Sequence, residues 1–124
     1  MTGQKTLRIV QYLPAIRLEE GGVVRAVLDL CTVMSRRGTD VTLVTWDEKD
    51  APEEWKKGGA GVPKIVKIEG PKIGPFLGKN SLKKIAGLMA SCDVLHLHAP
   101  WILSNLQWAR IARKHGVPYV VTAH

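Results

Sequence analysis

No stretch of this 124-residue sequence stays apolar for the roughly 20 residues that a bilayer-spanning helix needs, which removes the helical membrane-spanning classes first. A secretory layout is lacking too. In MTGQKTLRIVQYL the apolar stretch is broken by Arg8 and Gln11, and no small-residue cleavage site follows, so a cytoplasmic address is the expectation. Cysteine is scarce. Cys31 and Cys92 stand far apart and outside any CxxC spacing, so neither a disulfide framework nor a zinc site is expected. Both read as buried or half-buried thiols of a reducing compartment. There is no internal repeat, no low-complexity tract and no GxGxxG. Without those glycines, Asp47 reads as a solvated loop acid and not as the ribose ligand of a nicotinamide cofactor, and no cofactor is expected. No Ser/His/Asp or Cys/His arrangement stands out, so covalent catalysis is not expected either.

What is present is the composition of one globular domain with one core: 45% hydrophobic, 23% charged. Residues 7–13 (LRIVQYL) read as a strand ended by Pro14, and PAIRLEEGG as a loop. In GVVRAVLDLCTVMSRRG, Val24, Val27, Leu28, Cys31 and Met34 recur at helical spacing, with Gly38 as the stop. Residues 41–46 form a second strand, 64–68 a short third, and 93–98 (DVLHLH) a fourth. A helical turn is expected over 53–57 and a long loop over 69–80. Ser81 reads as the cap of SLKKIAGLMASC. Pro100 suits the first turn of a helix that runs to about His115, with Ile102, Leu106, Ala109, Ile111 and Ala112 as its apolar positions. Gly116 stops it, and residues 119–122 form the last strand.

Strands that alternate with helices imply an α/β fold, because parallel neighbours need crossover helices. The expectation is a Rossmann-like three-layer sandwich with a mainly parallel five-stranded sheet, order 3-2-1-4-5. Ligands of such sheets bind beyond the carboxyl ends of the strands, near the point where the order reverses. Four features fall at or near that edge. Gly21 and Gly22 open a helix after the first strand, where free N–H groups and the helix dipole favour phosphate, although a plain hinge would look the same. His96 and His98 share a face of the fourth strand. Asp93 falls on the other face by parity, so no metal site is expected; His96 reads as packed and His98 as the one at the active edge. Trp101 can stack on a sugar or base, or fill the core at a helix start. His124 follows the fifth strand, placed for hydrogen bonding or proton transfer.

The formal net charge is +7, and the stretch 56–84 is rich in lysine, with Ile73, Phe76 and Leu77 nearby. It reads as a solvated surface or as a patch for anionic lipid, which would add peripheral contact with the inner face of the membrane. Nucleic acid is not an expected partner, because aromatics are not interleaved with the lysines and no RNA-binding or helix-turn-helix pattern occurs.

RIVQYLPAIRLEEGGVVRAVLDLCTVMSRRGTDVTLVTW resembles the opening of retaining glycosyltransferases of family 4, which have the GT-B fold: a strand, a loop ending in Gly-Gly, and a helix ending in an RRGH-type turn, with Thr39 here where histidine is common. DVLHLHAPW is similar to that family's DvvHvHg-w strand, and VPYVVTAH to its strand ending in His-Gly. The resemblance implies sugar transfer from a nucleotide-diphosphate donor to a glycan, lipid-linked or small-molecule acceptor, with retention and without a bound metal. It implies that Gly21 and Gly22 lie by the donor phosphates and acceptor, that His124 contacts the transferred sugar in the catalytic centre, and that His98 and Trp101 line the same cleft. It also implies that residues 1–124 are part of an acceptor-side domain, inactive alone, whose donor domain lies elsewhere. Val120 or Val121 is then expected to be exposed or covered by another molecule, and self-association is expected to be open to the chain. A stand-alone phosphate-binding or partner-subunit module is the alternative.

Overall fold

The computed structural model describes residues 6–99 and 101–123. Five strands, β1 (Arg8–Tyr12), β2 (Asp40–Thr45), β3 (Lys64–Lys67), β4 (Val94–His98) and β5 (Tyr119–Thr122), form one sheet of order β3-β2-β1-β4-β5. Every pairing is parallel. This is the expected α/β, Rossmann-like sandwich. Four helices cover it: α1 (Gly22–Arg36), α2 (Glu53–Lys57), α3 (Lys79–Met89) and α4 (Ser104–Lys114).

Strand parity divides the core in two. Leu43 of β2 packs with Val24, Val27, Leu28 and Cys31 of α1 and Trp55 of α2. Val10, Tyr12, Leu95 and Leu97 point the other way, against Ile85 and Met89 of α3 and Trp108 and Ala112 of α4. Burial of these side chains, at about 25 cal/mol per Å² of apolar surface, is the main force holding the helices to the sheet. The Tyr12 and Trp108 rings lie 4.8 Å apart, and the Tyr12 hydroxyl shares a 2.8 Å hydrogen bond with Ser104 Oγ. α1 ends as its sequence requires. Gly38 takes φ +93°, its N–H reaches the carbonyl of Ser35 and that of Thr39 the carbonyl of Met34, and the same pairing recurs at Gly116 after α4.

Two expectations at helix starts need correction. Ser81 is not the cap of α3. Gly78 precedes the helix and Ser81 sits within its first turn, its hydroxyl donating to the Glu69 carbonyl at 2.7 Å. α4 starts at Ser104, later than a Pro100 start would place it; Pro100 itself lies outside the described residues. Its buried face is Asn105, Trp108, Ala109 and Ala112, whereas Leu106 is 63% exposed. Counting apolar letters put Leu106 inside; the geometry instead rotates the helix so that Trp108, the largest side chain of the turn, fills the space over Tyr12. Beyond α4, Val120 and Val121 of β5 are exposed by 53% and 43%. Among the described residues no helix is long and apolar enough to cross a membrane.

Candidate functional site

The crossover after β1 leads to α1 on one face of the sheet, and the crossover after β4 leads to α4 on the other. β1 and β4 are hydrogen-bonded neighbours, so their carboxyl ends mark the point where the sheet order reverses, the usual ligand edge of such sheets. The residues around that edge come from the β1–α1 arch and the β4–α4 turn.

The arch is not loose. Trp46 N donates to the Pro14 carbonyl at 2.9 Å, as does Thr45 Oγ1 at 2.8 Å. Ile16, fully buried, donates to the Asp47 carbonyl at 2.6 Å and accepts from Asp50 N at 2.9 Å. The Leu18 amide reaches Asp50 Oδ2 at 2.8 Å. Arg17 donates through Nε to the Asp47 carboxylate, which also accepts from Lys49 N at 3.0 Å. Those two contacts, the guanidinium first, hold the Asp47 carboxyl below the ordinary carboxylate range. Asp47 is therefore the tether of the arch and not the solvated loop acid that its polarity suggested.

The arch closes with a 3₁₀ turn, Leu18–Glu20, and Gly21 at φ +97° and ψ −155°, a conformation open in practice to glycine alone. α1 then begins at Gly22 with no acid in its first turn and, among the described residues, no side-chain cap hydrogen bond. A Cβ built on either glycine would meet nothing within 4 Å. Gly21 and Gly22 are both exposed, with the positive end of the α1 dipole behind them.

At the end of β4, His98 is 1% exposed and lies on the α1 face of the sheet, buried beneath the edge where it was expected. Its Nε2 lies 2.7 Å from Gln11 Oε1, an acceptor, so Nε2 carries the proton. Gln11, fully buried, directs its amide at Met34 Sδ, 3.7 Å away. The His96 ring stacks 4.1 Å from that of His98, and its Nε2 lies 2.5 Å from Thr122 Oγ1. A polar row thus crosses β1, β4 and β5 on one face, and burial makes it a specifying part of the core. Among the described residues no group of three or more His, Cys, Asp or Glu side chains could hold a metal ion.

The turn after β4 carries Trp101, 63% exposed, which rules out its reading as a core residue. Ala99 adopts φ +59°, the only positive φ of a non-glycine among the described residues. Asn105, 5% exposed, clamps this turn: Nδ2 donates to the carbonyls of His98 at 2.9 Å and Ala99 at 3.0 Å. His124, expected as the catalytic residue after β5, lies outside the described residues. The structure thus puts Gly21, Gly22 and Trp101 at the exposed edge and His98 beneath it.

A family model described as Glycosyltransferase Family 4 matches residues 20–124. The chain belongs to glycosyltransferase family 4. The match starts at the close of the arch and takes in both glycines, the β4–α4 turn and β5. Two crystal structures of the C-terminal domain of a hydrogenase from Pyrococcus furiosus resemble the chain with TM-scores of 0.55, at 16% and 12% sequence identity. The alignments cover 98% of this chain and 95% and 96% of theirs, and at that identity they bear on the fold alone. No curated protein matches the chain.

Gln11, Arg17 and Asn105, which the sequence reading did not single out, hold the backbone around the carboxyl ends of β1 and β4. Gln11 carried a signal, a polar residue inside an otherwise apolar parallel strand. Asn105 carried none, because an Asn beside a helix start reads as a cap.

Proposed function

We propose that this family 4 domain forms the acceptor side of an enzyme that transfers a sugar, with retention of configuration, from a nucleotide-diphosphate sugar to a hydroxyl of a glycan, lipid-linked or small-molecule acceptor. The observation that carries the reading is the uncapped start of α1 behind Gly21 and Gly22, open to an anion on the edge where the sheet order reverses. As the bond from the sugar to the diphosphate breaks, negative charge grows on the leaving phosphate. Fixed N–H groups at a helix start stabilise that charge without reorganising. Trp101, exposed on the neighbouring turn, offers a flat apolar face to a sugar ring. His124 is assigned to the transferred sugar. The chemistry is positioning and electrostatics, with no metal and no covalent intermediate on the chain. The remaining donor contacts come from a second, GT-B-type domain.

The test is turnover by the polypeptide that contains both domains, with a panel of nucleotide sugars and release of nucleoside diphosphate as the readout. Acceptor-dependent release with retained anomeric configuration is expected, together with its loss in Gly22→Ala. Turnover by residues 1–124 alone, or none by the two-domain polypeptide with any donor, would overturn the reading.

A further inference from the structure

The layer of α3 and α4 carries charge of one sign. Lys79, Lys83 and Lys84 project from α3 and Arg110, Arg113 and Lys114 from α4; all six are exposed, and neither helix contains an acid. Between the helices runs a groove of about 480 Å³, rimmed by four of those cations and lined also by Leu82, Ala86 and Ile111. The helices on the opposite face mix signs: α1 has Asp29 beside Arg25, and α2 has Glu53 and Glu54 before Lys56 and Lys57.

The loop that enters α3 lifts two large apolar side chains into water at the carboxyl edge of the sheet. Ile73 is 92% exposed and Phe76 46%. One exposed apolar residue means little; two on a loop held in place beside a cationic layer mean more. The loop is latched to α4: the Leu77 amide donates to Gln107 Oε1 at 2.8 Å, and Gln107 Nε2 donates back to the Leu77 carbonyl at 3.1 Å.

The surface is not the one the linear run of lysines outlines. Lys56 and Lys57 ride on α2, across the sheet, and Lys64 Nζ reaches Asp40 Oδ1 at 3.5 Å. Arg110, Arg113 and Lys114, outside that run, complete it.

We propose that the α3–α4 layer docks on an anionic lipid bilayer, with its cations over the headgroups and Ile73 and Phe76 entering the acyl boundary. A nucleic acid would reward the cations but leave the two apolar side chains in water. A bilayer rewards both, because attraction to anionic lipid and burial of apolar surface act together at its interface. The apolar loop shares the sheet edge with Gly21, Gly22 and Trp101, so docking brings that edge to an acceptor carried in the membrane. Docking does not depend on the glycosyl-transfer reading; only this consequence for the acceptor rests on it.

The experiment is co-sedimentation of the 124-residue chain with phosphatidylcholine vesicles, with and without phosphatidylglycerol. Binding is expected only with phosphatidylglycerol, and it weakens with salt. Each of Lys83→Ala and Arg110→Ala lowers the partition coefficient by about fivefold. The double change Ile73→Ser and Phe76→Ser lowers it by about tenfold or more. These side chains are solvent-exposed, so thermal melts of the variants should match the parent. No binding to phosphatidylglycerol vesicles overturns the proposal. So does binding that ignores Ile73 and Phe76, or RNA that binds as tightly and displaces the vesicles, since both describe a general polyanion surface. Vesicle binding by a chain whose two-domain form shows no sugar transfer leaves the docking standing and removes only the glycosyl-transfer reading.

Discussion

Replacing Asn105 tests the turn that presents Trp101. Its Nδ2 donates to two main-chain carbonyls, those of His98 and Ala99, and its Oδ1 is buried without a hydrogen-bond partner. Asn105→Ala deletes both donors. At about 0.5–1.5 kcal/mol net per hydrogen bond the loss is about 1–3 kcal/mol, moved toward the lower end because the unpaired Oδ1 leaves as well. Asn105→Asp keeps the shape but replaces the two-donor amide by a carboxylate facing two carbonyl oxygens. An uncompensated buried charge costs about 3–5 kcal/mol, so at neutral pH the Asp variant is the less stable of the two. Burial and the two carbonyls push the new carboxyl's pKa above its unfolded value. As pH falls the folded state takes up the proton first, one O–H donor returns, and the Asp variant recovers part of its stability while the Ala variant does not. Urea unfolding of both variants at neutral and mildly acid pH reads this directly. An Asp variant no weaker than the Ala variant at neutral pH, or a gap between them that ignores pH, would refute the clamp as described.

Gly21→Ala should destabilise the chain by about 1–3 kcal/mol, because φ +97° with ψ −155° strains any side chain. Gly22→Ala should leave stability equal or raise it by about 0.5–1 kcal/mol, since its Cβ meets nothing; equal effects at both positions in chemical unfolding would contradict the described turn. Burial raises the Tyr12 phenol from 10.0 to about 12, so the unfolded chain ionises first. Stability from this group is complete below pH about 10 and falls by about 2–3 kcal/mol as pH rises through about 12; alkaline unfolding of Tyr12→Phe should lack that component. Arg17→Ala removes the main cause of the depressed Asp47 carboxyl, and its pKa, followed by carbon NMR, should rise toward the ordinary range. A carboxyl that titrates unchanged would mean that Arg17 does not tether the arch.

Much of the fold was legible because apolar spacing and turn chemistry agree along most of the chain. The α1 stripe of Val24, Val27, Leu28 and Cys31 with Gly38 behind it, and the β5 tetrad 119–122, stand where the sequence pattern puts them. The α4 face was not legible, since Trp108 turns inward to pack on Tyr12, from a strand 96 positions away in the chain. The same non-locality hid the depth of His98. Parity fixed which face it shares with His96, but only α1 packing and the Gln11 contact make it buried. Gly21 and Gly22 were legible because their chemistry is local, a backbone conformation and the absence of a Cβ.

Sugar transfer as proposed requires an anion to bind the backbone where α1 begins. Titrating a ¹⁵N-labelled chain with a nucleotide-diphosphate sugar and following the amide cross-peaks reads that contact residue by residue. The largest shifts are expected on Gly21, Gly22 and Val23, with a smaller response at the Trp101 indole, and Gly22→Ala should suppress them while the fold persists. Shifts confined to Lys79, Lys83 and Lys84 on α3, or none at the start of α1 at saturating ligand, would contradict it.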